Sequence, residues 1–120
     1  SFFLRHTKHA PARAMLDAGV HVALSTDFNP GSSPTTNLPL IMRLGCFLLD
    51  MTVEEVIHAV TEVPARSLGF SEDRGVVEEG KRGDLSVWHV DNHLKIFYRY
   101  GEARVEGTVI EGDIVYHADL

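Results

Sequence analysis

The sequence predicts an α/β chain in two unlike parts, and three observations carry that reading. A strand–helix–strand step opens it, strongly apolar helical periodicity follows, and from Gly75 onward short β-like runs alternate with glycine turns. The change of character falls at Gly69–Glu72, so residues 1–70 form the α/β part and 71–120 the β part. There is no internal repeat and no low-complexity tract.

Ser1–Leu4 reads as the last piece of a strand. Lys8–Ala18 is a helix with Pro11 in its first turn, where a missing N–H costs little, and Gly19 closes it. Val20–Leu24 is a short, mostly buried strand, and a helix between two strands makes them parallel neighbours. After a polar loop, Leu38–Leu49 is a helix with Leu40, Ile41, Leu44, Phe47 and Leu48 at helical spacing. Thr52-x-x-Glu55 is a capping box for a helix that runs to about Thr61, with Val53, Val56, Ile57 and Val60 inward. Pro64–Leu68 is a further short helix, closed by Gly69.

The second part supplies β-like segments at Val76-Val77, Leu85–Val90, Leu94–Tyr100, Arg104–Ile110 and Ile114–His117, with Glu111-Gly112 as a tight hairpin. Gly80-Lys81-Arg82-Gly83 is a turn before a strand; no helix follows it, so it is not a phosphate loop. Trp88, Phe97, Tyr98 and Tyr100 lack basic neighbours and read as β-layer core rather than a platform for bases.

Composition excludes several functions. With 120 residues, 44% hydrophobic and 23% charged, the chain is ordinary for a globular domain. A net charge of -6 and no Lys/Arg cluster argue against a nucleic-acid partner. No apolar run reaches membrane-spanning length. The lone Cys46 excludes an internal disulfide and a cysteine zinc site, and fits a reducing, cytoplasmic setting. Ser1-Phe2-Phe3-Leu4 is not a signal peptide, and the abrupt apolar opening suggests a chain that begins inside an element.

The stretch with chemistry is Ser25-Thr26-Asp27-Phe28-Asn29-Pro30-Gly31-Ser32-Ser33-Pro34. An acidic side chain at the carboxyl end of a buried strand, followed by a loop rich in backbone donors, is the layout of an active site on a parallel barrel. Asp27 could bind a metal through hard oxygens or accept a proton from water. Asn29 and Ser32 offer hydrogen bonds, and Gly31 lets a ligand approach the backbone. Asp-x-Asn-Pro-Gly is equally good turn chemistry, and on the residues alone the two readings balance. His6 and His9, three apart, lack a carboxylate partner and read as exposed helix-end histidines rather than a chelate. His21, His58, His89, His93 and His117 are scattered, and no His-x-His occurs.

The loop resembles the signature that follows the eighth barrel strand in the imidazolonepropionases, a family of the amidohydrolase superfamily. Phe2-Phe3-Leu4-Arg5, Ala18-Gly19-Val20, Met51-Thr52-Val53-Glu54-Glu55 and Tyr98-Arg99-Tyr100-Gly101 extend the likeness over nearly the whole chain. Glu79-Gly80-Lys81-Arg82-Gly83-Asp84-Leu85 is similar to a pattern shared across the superfamily, with Gly83 where Ala is common. The resemblance implies the carboxyl-terminal part of a (β/α)8 TIM barrel: the end of strand 7, strand 8 and the following helices. To these it adds the carboxyl-terminal strands of a small composite β-sandwich. A whole barrel needs about 250 residues, so this chain would be a fragment, inactive alone.

The same resemblance implies hydrolysis of the cyclic amide of 4-imidazolone-5-propanoate to N-formimidoyl-L-glutamate, in histidine degradation. Asp27 would be a metal ligand and catalytic, with Asn29, Gly31 and Ser32 holding a small-molecule substrate. The cofactor would be Zn2+ or Fe, its other ligands upstream, and the intact enzyme a homo-oligomer, a dimer. The alternatives are another amidohydrolase, such as a deaminase or hydantoinase-like enzyme, and a non-catalytic α+β module.

Overall fold

Asn37 starts the longest helix: its Oδ1 accepts the Leu40 N–H at 2.9 Å, and Pro39 fits the first turn beyond it. The structure is a computed structural model that describes residues 7–99, 102 and 105–118. Its helices are α1 (Ala12–Asp17), α2 (Leu38–Leu48), α3 (Val53–Val60), α4 (Glu62–Ser67) and α5 (Lys95–Tyr98). Its strands are β1 (Leu85–Trp88), β2 (Val105–Ile110) and β3 (Asp113–His117).

The helices build the core. Asp50, at φ 53, turns the chain from α2 into α3. The capping box forms as the spacing predicts: Thr52 Oγ1 accepts the Glu55 N–H at 3.2 Å, and Glu55 accepts the Thr52 N–H at 2.8 Å. Glu55 also takes a two-pronged bond from Arg13 of α1, both contacts 2.9 Å. That fork docks α1 against the start of α3. Ala12, Met42, Met51, Val56, Ala59 and Phe97 are the buried cluster, with Leu16, Val22 and Leu24 packed on it. Gly45 lets three segments converge: a Cβ there would lie 2.9 Å from Leu24 Cδ1 and 3.0 Å from Val56 Cγ2.

The first helix is shorter than predicted, Ala12–Asp17 rather than Lys8–Ala18, because Pro11 takes the N-cap position instead of the first turn. Val20–Leu24 is not a strand here. Its Leu24 N–H bonds the Ala59 carbonyl at 2.8 Å, so the segment lies along α3 rather than in a ladder. A parallel strand needs a neighbour, and the predicted partner, Ser1–Leu4, lies outside the described residues.

The sheet is antiparallel, in the order β1-β2-β3. Leu85 faces Val109, and Gly107 faces both Val87 and His117. The predicted hairpin joins β2 to β3: Glu111 and Gly112 take φ 54 and 90, the pair of left-handed residues that a two-residue turn requires. The Gly-Lys-x-x-Asp-Leu turn packs on that hairpin. Gly83 accepts the Gly112 N–H at 3.1 Å and Asp84 Oδ1 accepts the Glu111 N–H at 2.8 Å. A Cβ on Gly83 would meet Gly112 N at 3.2 Å, a close contact against the hairpin backbone.

Leu94–Tyr100, predicted as β, contains α5 instead. Asn92 Oδ1 accepts the Leu94 N–H at 2.8 Å, its carbonyl accepts the Lys95 N–H at 3.0 Å, and Asp91 bonds Lys95. Local side-chain bonds of this kind compete with a ladder and here turn the chain. Phe97 is then buried against the helices rather than within a β layer, Tyr98 is 83% exposed, and Tyr100 lies outside the described residues. The buried Arg43 of α2 secures the arrangement through bonds from Nε and Nη2 to Ile96 O at 3.0 and 2.7 Å, and from Nη2 to Glu102 O at 3.0 Å. Val76-Val77 is exposed and forms no strand. The whole is a mixed α/β fold with one small antiparallel sheet.

Candidate functional site

The loop from Leu24 to Thr35 borders, with α2, an open cavity of about 520 Å³. Asp27, Ser32, Ser33 and Thr35 line one side, Leu40, Leu44 and Leu48 of α2 the other, and His9 also borders it. The α2 side is therefore apolar, and the loop side carries the Asp27 carboxylate and the hydroxyl residues Ser25, Thr26, Ser32, Ser33 and Thr35.

The loop holds its shape through its own polar groups. Asn29 and Ser33 bond each other through both backbones, N to O at 3.0 and 3.3 Å. Asn29 Oδ1 accepts from Gly31 N at 3.0 Å, Ser32 N at 2.8 Å and Ser32 Oγ at 3.1 Å. Asn29 Nδ2 donates to Asp27 O at 2.7 Å and to Ser32 Oγ at 3.0 Å. Ser33 Oγ donates to Thr26 O at 2.6 Å. Asp27 itself sits at φ 48, the left-handed region that L-residues other than Asn and Asp seldom enter. Its residue is exposed, and no hydrogen bond or ion pair to another described residue occupies its carboxylate.

The structure thus brings Asp27 and Ser32 to one cavity, with Asn29 and Gly31 in the turn between them. The turn bonds that the sequence set beside a site are formed in this loop. His9 and Ser33 were missed. His6 lies outside the described residues. His58 and His89 face Glu62 and Glu106 at 2.9 and 3.7 Å, and His21 neighbours Arg66 at 3.4 Å, none on this cavity. Burial, with a contribution from Glu54, pushes the Cys46 thiol up, away from a reactive thiolate.

Among the described residues no group of three or more His, Cys, Asp or Glu could hold a metal ion. Asp27 fits as one hard oxygen ligand of a site completed by other groups, because its carboxylate is accessible and uncommitted. A second cleft, of about 780 Å³, lies between β1 and α5 and carries the Asp91–Lys95 ion pair; it contains no candidate site residue.

A model of the Amidohydrolase family matches residues 4–116. Imidazolonepropionases from Bacillus velezensis and a Geobacillus species are 44% and 46% identical over 115 residues, which is 96% of this chain and 27% of each relative. The imidazolonepropionase of Vibrio cholerae is 37% identical over 98% of this chain and 29% of its own length. The chain therefore spans little more than a quarter of these curated relatives. Among solved structures, an amidohydrolase from Thermotoga maritima superposes with a TM-score of 0.72 at 25% identity, covering 89% of this chain and 26% of that one. The 5-methylcytosine deaminase of Klebsiella pneumoniae reaches a TM-score of 0.76 at 19% identity, covering 92% and 28%, a likeness of fold.

Proposed function

The chain belongs to the amidohydrolase family, and from that premise we propose that it is the carboxyl-terminal portion of an imidazolonepropionase. In this reading residues 1–70 complete a (β/α)8 barrel and 71–120 contribute to a composite β-sandwich. The whole enzyme is a cytoplasmic homodimer that opens 4-imidazolone-5-propanoate to N-formimidoyl-L-glutamate in histidine degradation. The observation that carries the reading is Asp27, an uncommitted carboxylate on the rim of a cavity, in a chain 44–46% identical to imidazolonepropionases over nearly its whole length.

When bound, Zn2+ or Fe lowers the pKa of water and so supplies hydroxide at neutral pH. Asp27 is the residue of this chain that would hold it. The same carboxylate accepts a proton as water adds to the ring carbonyl carbon, and returns it to the ring nitrogen as the C–N bond breaks. Atoms balance as one water consumed and one amide opened. Asn29, Gly31 and Ser32 orient the ring, and a substrate atom arriving there exchanges one of the loop's internal bonds for an external one. Such an exchange is nearly neutral in energy, which suits a loop that must bind and release. The apolar α2 wall excludes water from the other side.

Asp27→Asn in the full-length enzyme should keep the fold and lose both metal and turnover, the latter by about a thousand-fold or more. Metal analysis and ultraviolet loss of the imidazolone measure the two. A variant with normal metal content and normal rate removes Asp27 from the mechanism. The 120-residue chain alone should show no turnover, since one carboxylate cannot hold the metal. The deaminase-like fold neighbour supplies the competing reading, which ammonia release from cytosine-type substrates by the full-length enzyme would favour.

A further inference from the structure

Resting on the reading above, the geometry points to Ser33 and Asn29 as positioning residues that aim Asp27 by clamping the peptide units on either side of it. The Thr26 carbonyl belongs to the peptide unit before Asp27 and the Asp27 carbonyl to the one after. Ser33 Oγ holds the first at 2.6 Å, and Asn29 Nδ2 holds the second at 2.7 Å. Two fixed peptide planes determine both backbone torsions of the residue between them, and with them the direction of its Cα–Cβ bond. The two halves of the clamp are joined by the Asn29–Ser33 backbone bonds at 3.0 and 3.3 Å, so they move as one.

Two further observations bear on how Asp27 is aimed. The Asn29 amide braces the loop around Asp27: its oxygen takes three donors and both its N–H groups are used. Asp27 stands at φ 48 with no described side chain touching its carboxylate in a hydrogen bond or ion pair. Asp is one of the few residues that enter this region, and the two carbonyl bonds hold it there. With no partner for the carboxylate among the described side chains, the backbone sets the direction from which it leaves the chain.

The test compares full-length wild type with Ser33→Ala and Ser33→Thr, the latter keeping the hydroxyl. Zn2+ affinity is read by competition with a chromogenic chelator, alongside kcat, KM and thermal unfolding of the metal-free protein. Ser33→Ala should weaken Zn2+ binding roughly tenfold, in the range seen when groups that orient metal ligands are removed, and lower kcat comparably. KM and metal-free unfolding should stay near wild type, and Ser33→Thr should restore affinity and kcat together. Raised KM with unchanged Zn2+ affinity would make Ser33 a substrate contact and overturn the clamp. Loss of Zn2+ affinity that follows a lowered unfolding midpoint and is not rescued by threonine would overturn it too, as general loosening. Wild-type behaviour of Ser33→Ala beside a defective Asp27→Asn removes the clamp alone, whereas Zn2+ binding by Asp27→Asn at wild-type strength removes the metal reading on which it rests.

Discussion

The helical region and the sheet satisfy different halves of what folding requires. In the helices, apolar side chains and backbone bonds are buried together: Val56 and Ala59 of α3 are essentially inaccessible, and Met42 and Met51 close over them. In the sheet a ladder runs across three strands, with one register shift in each pair, yet every residue of β3 is exposed, with Ile114 at 71% and Val115 at 57%. Hydrogen bonding and burial are thus separable. A ladder can order the backbone while its side chains remain in water, where they contribute little to stability. The candidate site lies on the helical side of this divide, where a rigid wall, α2, backs the loop.

The largest break in that contrast should come from Arg43→Ala. It strips charged donors from two buried-side carbonyls, Ile96 O and Glu102 O, and releases α5 from α2. Roughly 3 kcal/mol should be lost in denaturant unfolding, since bonds to charged groups contribute about 1.5–3 kcal/mol each. Lysine should not rescue it, because an ammonium lacks the guanidinium fork.

A matched pair sharpens the comparison directly. Val56→Ala in the helical core should cost about 1–2 kcal/mol. Ile114→Ala on the sheet removes more carbon but should stay within about 0.5 kcal/mol, because that side chain is already exposed. Equal losses would show that the sheet face is covered in solution.

The smallest effect is the pH dependence that Glu55 gives to the helices. The Arg13 fork, aided by the Thr52 N–H, holds the Glu55 carboxyl below the usual carboxylate range. A lowered folded-state pKa means stability that is whole above the ordinary carboxylate value, about 4.3, and is lost as pH falls through the depressed one. Glu55→Gln should flatten this part of the acid limb in a melting-temperature profile. The helices should loosen on that limb before the sheet does, as read by hydrogen exchange.

The same division explains what could be read from residues. Features set locally were legible: the Thr52–Glu55 cap, the span of α2, and the Glu111-Gly112 turn each lie within a few residues of their cause. The face of α2 was not: Leu40, Ile41, Leu44 and Leu48 line the cavity and Phe47 is exposed, while Met42, Arg43 and Gly45 turn inward, because Arg43 finds distant carbonyls. Val20–Leu24 failed as a strand because strand formation depends on a neighbour, and no sequence pattern supplies one. Leu94–Tyr100 failed because Asn92 offered a local bond that competes with pairing, and because Phe97 found α2. In the loop, Asp27 could be singled out from its place after an apolar run. Ser33 could not, because its role rests on reaching a carbonyl seven residues back.

Arg43 also says something about when this molecule can be finished. Its acceptors are 53 and 59 residues further along the chain. A ribosome that has completed α2 has made a helix with a guanidinium on its inward face, and that group must stay hydrated until Ile96 and Glu102 emerge. Assembly of the helical half therefore waits on the arrival of distant backbone, and the slow step belongs to loop closure rather than to helix formation.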